Sequence, residues 1–414
     1  MKHTYFFLYS PFRCTLYKSL ASKYIQHGYD VVFIVQDLES YFRIKSNFKT
    51  ILLKTSKRGN NDNDNDNDND IVNSIDVISG HFNLKEARKL ANSFITLLDR
   101  LEINNDDIVF AGNGYHLQDI IIKNYQSKHK FTTFFSELSN IDDRTFFDIK
   151  GANAKSLFFN IAQDFFFKKS THLPEINKDP NFNIDEWKKK YIEKKYKNHI
   201  VPQAKTKKIA SMIRWRILNF IELILNIPSF SVVRFKSSKK TLFSKREKLK
   251  IPYENKKIND YYFFPLQVTD DSQIKINSHT NNIDALLYYL KKAKINNKNF
   301  VVKIHPAEKN INFIKKIVSL SISKEFSLSN LNTFQLIKNA DIICTINSTV
   351  GFEAILLGKN VKFLGQSFYK FFEKNEILNF YISQYLIKIN FFTGEIFENN
   401  IVEKLYSLSK LNHD

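Results

Sequence analysis

Short apolar runs, each closed by a polar loop and followed by a stretch of helical periodicity, recur along the whole chain and restrict its fold more than any other feature. The first half carries TYFFLY (residues 4–9), YDVVFIVQ (29–36), DIVFA (107–111) and KFTTFF (130–135), with helices expected over 16–27, 84–101 and 116–125. The second half repeats the pattern with YYFFPLQV (261–268), FVVKI (300–304), DIICT (341–345) and VKFL (361–364), with helices expected over 281–294, 310–320, 332–340 and 350–357. Runs this short and this continuously apolar read as buried strands, and their alternation with helices points to parallel sheets covered on both faces. The expected fold class is α/β, built from Rossmann-like units.

With 414 residues, two domains are the natural arrangement. The expected division is an N-terminal Rossmann-like domain over 1–198, a basic helical and linker segment over 199–258, and a second Rossmann-like domain over 259–370. Residues 371–414 are expected to be C-terminal helices packing back across both. An alternating Asn/Asp tract at 59–70 has no apolar residue with which to build a core and reads as a disordered loop. It lacks the central glycine and terminal glutamate of an EF-hand, so no metal is expected there. Two Rossmann-like domains facing a cleft describe the GT-B architecture of glycosyltransferases. No GxGxxG follows the first strand, so a dinucleotide fingerprint is missing.

The formal charge of +20 implies either an anionic partner or many solvated lysine faces. Residues 205–228 combine Lys205, Lys207, Lys208, Arg214 and Arg216 with a broad apolar face. Such a helix suits an anionic membrane interface; packing on its own protein is the other reading. The longest apolar run, 217–227, is broken by Asn219, Glu222 and Asn226 and is too short to span a bilayer. No secretory signal is visible at the N-terminus. Cys14 and Cys344 sit in strand-like apolar contexts and suggest buried thiols in a reducing compartment, without metal-ligand spacing. The expectation is a cytoplasmic protein, peripheral on the inner face of the cell membrane. A basic nucleic-acid-binding protein is the reading from another class, but the aromatic residues lie in strands and no basic recognition motif occurs, so no nucleic-acid partner is expected.

Chemistry concentrates between residues 299 and 369. His305 and Pro306 end one strand; Asn347, Ser348 and Thr349 stand where another strand meets a helix. Hydroxyls and free N–H groups at a helix start can hold a nucleotide phosphate, and His305 could bond the leaving oxygen. Glu353, one turn into that helix, would be placed to bind ribose hydroxyls, or would simply sit well near the helix dipole. In the first half, the loop Gly112-Asn113-Gly114 occupies the edge at which open α/β sheets bind ligands, and the strand-end carboxylate Glu137 reads either as a helix cap or ion-pair member or as a functional group.

The segments PLQVTDDSQI (265–274), KIHP (303–306) and INSTVGFEAILLGKNVKFLGQSFY (346–369), with FSELSNIDDRTFFDIKGANAKS (135–156) upstream, resemble the bacterial capsule-polysaccharide biosynthesis family, whose characterised members are Kdo transferases. The resemblance is scattered over 131–369; the Asn/Asp tract and the basic middle segment have no counterpart in it. It implies CMP-Kdo as donor, a glycolipid or polysaccharide acceptor bound on the first-domain side, and no cofactor or metal. It further implies retaining transfer through a covalent intermediate, with Asp271 as nucleophile and Asp270 beside it as the other choice. Glu137 would then be the acceptor's base, His305 the group assisting CMP departure, and Lys303 a nearby positive charge. Related motifs occur in sialyltransferases, so a CMP-sialic-acid-type (nonulosonic acid) donor is the alternative.

Overall fold

Phe33, Phe6, Phe110 and Phe134 stand in register on four neighbouring parallel strands, and their rings stack across the sheet at centroid distances of 5.0, 4.8 and 5.3 Å. Each stacked pair adds about 0.5–1.5 kcal/mol beyond the area it buries, and the row pins the register of the first sheet. The computed structural model describes residues 2–55, 68–176, 181–197, 209–229, 250–254 and 258–411. The Asn/Asp tract up to residue 67 and much of the basic middle segment lie outside the described residues.

The first sheet contains β1 (His3–Leu8), β2 (Asp30–Val35), β3 (Lys49–Leu52), β4 (Ile108–Ala111), β5 (Thr132–Leu138) and β6 (Thr145–Asp148). Its order is β3-β2-β1-β4-β5-β6, parallel throughout except for β6, which returns antiparallel to β5. The second sheet contains β7 (Tyr261–Pro265), β8 (Asn299–Lys303), β9 (Ser327–Leu328), β10 (Ile342–Thr345) and β11 (Asn360–Phe363), all parallel, in the order β11-β10-β7-β8-β9. The strand order therefore reverses between β1 and β4 in one sheet and between β7 and β10 in the other. Open α/β sheets offer a ligand crevice at that point, outside the carboxyl ends of the strands.

Local chemistry accounts for the helix boundaries. Asn83 and Glu86 form a reciprocal capping box that opens the helix Leu84–Leu101. The Asn281, Asn310 and Asn332 side chains each accept a backbone N–H at the start of a second-half helix. Strands β3, β6 and β9 were not foreseen, and residues 371–411 are helical over Phe368–Glu373, Asn375–Phe380, Tyr381–Tyr385 and Ile401–Lys410, with turns and isolated bridges over 386–400.

The two sheets meet through specific polar contacts. Asn277 Nδ2, on the short helix after β7, donates to the Tyr115 hydroxyl at 2.9 Å, and Lys275 Nζ donates to Ser79 Oγ at 3.3 Å. The chain beyond β11 returns to the first sheet: Phe146 of β6 stacks on Phe368 and Tyr385, and Thr145 Oγ1 donates to the Ile389 carbonyl at 2.8 Å. The helix Ile184–Lys197 touches both halves, with Lys194 2.7 Å from Asp142 and Lys195 3.2 Å from Glu353. Among the described residues, no helix is long and apolar enough to cross a membrane.

Candidate active site

On the first-sheet side, the loop after β4 is held by the buried Asp119 carboxylate. It accepts the Gly112 and Gly114 N–H groups at 2.8 and 2.9 Å and the Tyr9 hydroxyl at 2.8 Å. A Cβ at Gly112 would stand 2.6 Å from that carboxylate, so the tight approach requires glycine. The loop thereby presents Asn113, whose Nδ2 donates to Glu137 Oε2 at 3.0 Å; Glu137 Oε1 accepts the Leu138 N–H at 2.9 Å. Arg13, in the loop after β1, braces the preceding residue by donating to the Ser136 hydroxyl and carbonyl, both at 2.9 Å. Asp148, also buried, accepts the Lys150 and Leu157 N–H groups and the Tyr385 hydroxyl, which ties down the loop beneath Asn113.

On the second-sheet side, Gln267 is the hub. Its Nε2 donates to Asn347 Oδ1 at 2.9 Å and to Asp271 Oδ2 at 3.3 Å, while its Oε1 accepts the Asn347 N–H at 3.1 Å. Asp271 also caps the helix Ser272–Asn277 by accepting the Gln273 N–H at 2.9 Å. Burial pushes the Asp271 carboxyl above its ordinary value; the Gln273 and Gln267 bonds and His305 pull it back, and Glu137 raises it further. Asp270 points elsewhere: it is exposed and lies 3.0 Å from Lys275 Nζ.

His305 follows β8, and its Nδ1 accepts the Ala307 N–H at 3.1 Å. A backbone N–H can only donate, so the neutral ring carries its proton on Nε2 and has a donor to offer. Burial lowers the His305 pKa, with Asp271 and Glu308 opposing the shift and Lys303 adding to it. Glu308 joins the two strand-end loops by accepting the Thr269 N–H at 2.8 Å and the Asn310 N–H at 2.8 Å. Pro306 is exposed at the turn, and Lys303, its pKa lowered by burial, donates to the Leu331 carbonyl.

The phosphate-type turn after β10 has a specific division of labour. Asn347 uses its whole amide internally, since Nδ2 also donates to the Gln273 carbonyl at 2.8 Å. Ser348 Oγ accepts the Val350 N–H at 3.2 Å and caps the helix Thr349–Leu356, in whose first turn Thr349 is half-buried. Gly351 lets that helix press on β11: a Cβ there would meet the Phe363 ring at 2.6 Å. Glu353 is met by Lys195, and burial raises its carboxyl while Lys195 lowers it. Tyr369 is buried, which raises its pKa; Asn140 opposes the shift, and Glu137, Glu353 and Asp271 are near enough to raise it further.

Asp271, His305 and Glu137 thus come from the carboxyl ends of β7, β8 and β5, and Asp271 lies near enough to each of the other two to feel its charge. Gln267, Glu308, Asn113 and Tyr369 support them; Asn113 lies in the loop that the sequence marks as a ligand edge, while Gln267, Glu308 and Tyr369 were not singled out as site residues, although Gln267 and Tyr369 lie inside the quoted motifs. Lys195 carries no motif at all; only the tertiary fold brings it to Glu353.

Two doubly wound sheets that face each other with their carboxyl edges on one cleft define a GT-B-type architecture. The chain belongs to the capsule polysaccharide biosynthesis protein family, whose model matches residues 146–372. It is 29% identical over 120 residues to the capsule polysaccharide export protein KpsS of Escherichia coli, covering 26% of this chain and 31% of the relative. It is 39% identical over 114 residues to protein FixF of Sinorhizobium fredii, covering 26% of this chain and 27% of the relative. The matches thus span less than a third of either curated relative. The β-Kdo 2,7 transferase KpsC of Thermosulfurimonas dismutans aligns with a TM-score of 0.38 and 14% identity, over 78% of this chain and 89% of that one. The UDP-GlcNAc 2-epimerase of Methanocaldococcus jannaschii aligns with a TM-score of 0.32 and 13% identity, over 98% and 100%. Both likenesses are too distant to transfer a residue or a substrate.

Proposed function

We propose that this protein is a glycosyltransferase of surface-polysaccharide assembly that transfers Kdo from CMP-Kdo to a glycolipid or polysaccharide acceptor at the inner face of the cell membrane. What supports the reading is the placement of Asp271, His305 and Glu137 at the carboxyl ends of β7, β8 and β5, with Asp271 feeling the charge of the other two. In the first step an Asp271 oxygen bonds to the anomeric carbon of the sugar as its bond to the CMP phosphate oxygen breaks. His305 donates a hydrogen bond from Nε2 to the departing phosphate. In the second step the acceptor hydroxyl attacks the same carbon from the opposite face, Glu137 takes its proton, and the Asp271 carboxylate is released. Two displacements at one centre retain its configuration.

The donor has a single phosphate, which the Thr349 end of its helix, His305 and Lys303 would serve without a metal. Glu353 would reach the ribose only by sharing its carboxylate with Lys195. Incubation with CMP-Kdo alone, followed by intact-mass measurement and peptide mapping, tests the reading. The expected result is a Kdo adduct on Asp271 that accumulates in Glu137→Gln and is absent from Asp271→Ala. An adduct on Asp270, or full transfer by Asp271→Ala, would overturn the assignment.

A further inference from the structure

From Ile217 onward the helix Ile209–Ile224 is amphipathic in the wrong sense for a helix that only packs on its own protein. There its polar side is buried: Asn219 and Glu222 are each 1% exposed. The apolar side of this part faces out, with Ile217, Phe220, Ile221, Leu223, Ile224 and, just past the helix end, Leu225 exposed by 37–62%. At 100° per residue these six positions form one continuous face centred on Ile224, opposite Asn219 and Glu222.

Specific bonds hold the helix in that orientation. Glu222 Oε1 accepts the Leu38 N–H at 2.7 Å and Oε2 accepts the Ser229 hydroxyl at 2.5 Å; Gln36 donates to the Pro228 carbonyl and Thr55 Oγ1 to the Asn226 carbonyl at 2.9 Å. Gln36 and Leu38 lie just beyond β2, at the carboxyl edge of the first sheet. Gln118 donates to Gln36, and Gln118 belongs to the helix that follows the Gly112-Asn113-Gly114 loop. The apolar face is therefore fastened to the edge of the sheet that also carries Glu137.

Charge indicates what covers it. Residues 199–250 hold 13 of the chain's 62 lysines and arginines but only two acids, Glu222 and Glu247, and so supply 11 of its 20 excess positive charges. Glu222 is buried, which leaves the surroundings of the face still more cationic in sequence. Nucleic acid would reward those charges but not a row of exposed isoleucine, leucine and phenylalanine. An anionic bilayer rewards both. Sixteen residues span about 24 Å, short of a hydrocarbon core near 30 Å, so the helix suits the interface plane.

We propose that the face of Ile209–Ile224 centred on Ile224 docks on an anionic phospholipid surface and holds the first-sheet edge of the cleft against the membrane. This rests on the orientation of the helix and stands whether or not the donor is CMP-Kdo. The test uses the full chain with vesicles of phosphatidylcholine containing 30% phosphatidylglycerol, and with phosphatidylcholine alone. Wild type should cosediment with the anionic vesicles, and Phe220→Ser/Ile224→Ser should bind at least tenfold more weakly with an unchanged circular dichroism spectrum. Separately, a fluorophore on Phe220→Cys should shift to the blue on adding anionic vesicles; Cys14 and Cys344 are buried and should not compete for label. Equal vesicle binding by wild type and the double serine variant would overturn the proposal, as would an unshifted label. Tighter binding to DNA than to vesicles, or a dimer that the double variant breaks, would overturn it in favour of a nucleic acid or a second copy.

Discussion

Asn113 Nδ2 donates to Glu137 Oε2 at 3.0 Å and so sets the direction in which the carboxylate faces the cleft. Among the described residues, Glu137 keeps one other hydrogen bond, from its neighbour's N–H. Asn113→Ala removes a hydrogen bond to a charged group, worth about 1.5–3 kcal/mol, so transfer should slow by roughly 10- to 100-fold. The loss should fall on kcat, with the KM for the donor little changed, because Asn113 lies on the acceptor side. A change confined to the donor KM would show that the bond does not serve the chemistry.

Lys195 and Glu353 make a second long-range pair, with the carboxylate far less exposed than the ammonium. Glu353 is already raised by burial, and Lys195 is the charge that offsets this. Lys195→Met should therefore lower the thermal midpoint, by an amount reflecting about 1 kcal/mol after allowance for the solvent-exposed lysine. Glu353→Gln in the same chain should restore most of it, because no buried charge remains unpaired. A double-mutant cycle in calorimetry measures the coupling; additive effects would mean the pair contributes nothing.

The readable and unreadable parts of the molecule divide on physical lines. The helix Leu84–Leu101 was legible to the residue because its capping box and apolar period are local. Strand β6 was not: TFFD is four residues long, and it is held by a return pairing with β5 and by contacts to Ile387 and Ile389, more than 240 residues away. Strand β9 is only two residues and reads as loop. In the site, Asp271, His305 and Glu137 were visible as polar residues at strand ends. The roles of Gln267 and Asn347 were not, since a buried amide that ties two loops together looks like any other amide in the sequence.

His305 offers a test of leaving-group assistance. Burial lowers its pKa, so the ring is neutral at physiological pH and its Nε2–H is available over the whole range above pH 7. The His305 limb should therefore leave the rate flat between about pH 7 and 8, and activity should fall only on the acid side, where a proton on Nδ1 displaces the Ala307 N–H that orients the ring. His305→Ala should slow transfer by roughly 10- to 100-fold, the worth of about 1.5–3 kcal/mol for one hydrogen bond to a charged phosphate. Pre-steady-state release of CMP is the step to measure, and an unchanged release rate in the variant would remove His305 from it.

Asp37 makes the helix anchor sensitive to pH. It caps the helix Leu38–Ile44 beside Glu222, and burial pushes its carboxyl from an ordinary 3.8 up to about 6, with Glu222 adding to the rise. A carboxyl held above its unfolded value favours the folded state while it is protonated. Its contribution is complete below about pH 3.8 and is lost as the pH rises through about 6, a change of about 3 kcal/mol. Glu222 is also raised by burial and shifts stability in the same direction. Asp37→Asn keeps an acceptor for the Ser40 N–H, at 2.7 Å in the wild type, but has no acidic proton to lose and stays neutral as the pH rises. Between pH 4 and 7 the thermal midpoint of Asp37→Asn should therefore rise relative to wild type, with the gap widest near neutrality. Parallel midpoints across that range, followed by differential scanning calorimetry, would show that Asp37 ionises in the folded protein as freely as in the unfolded chain.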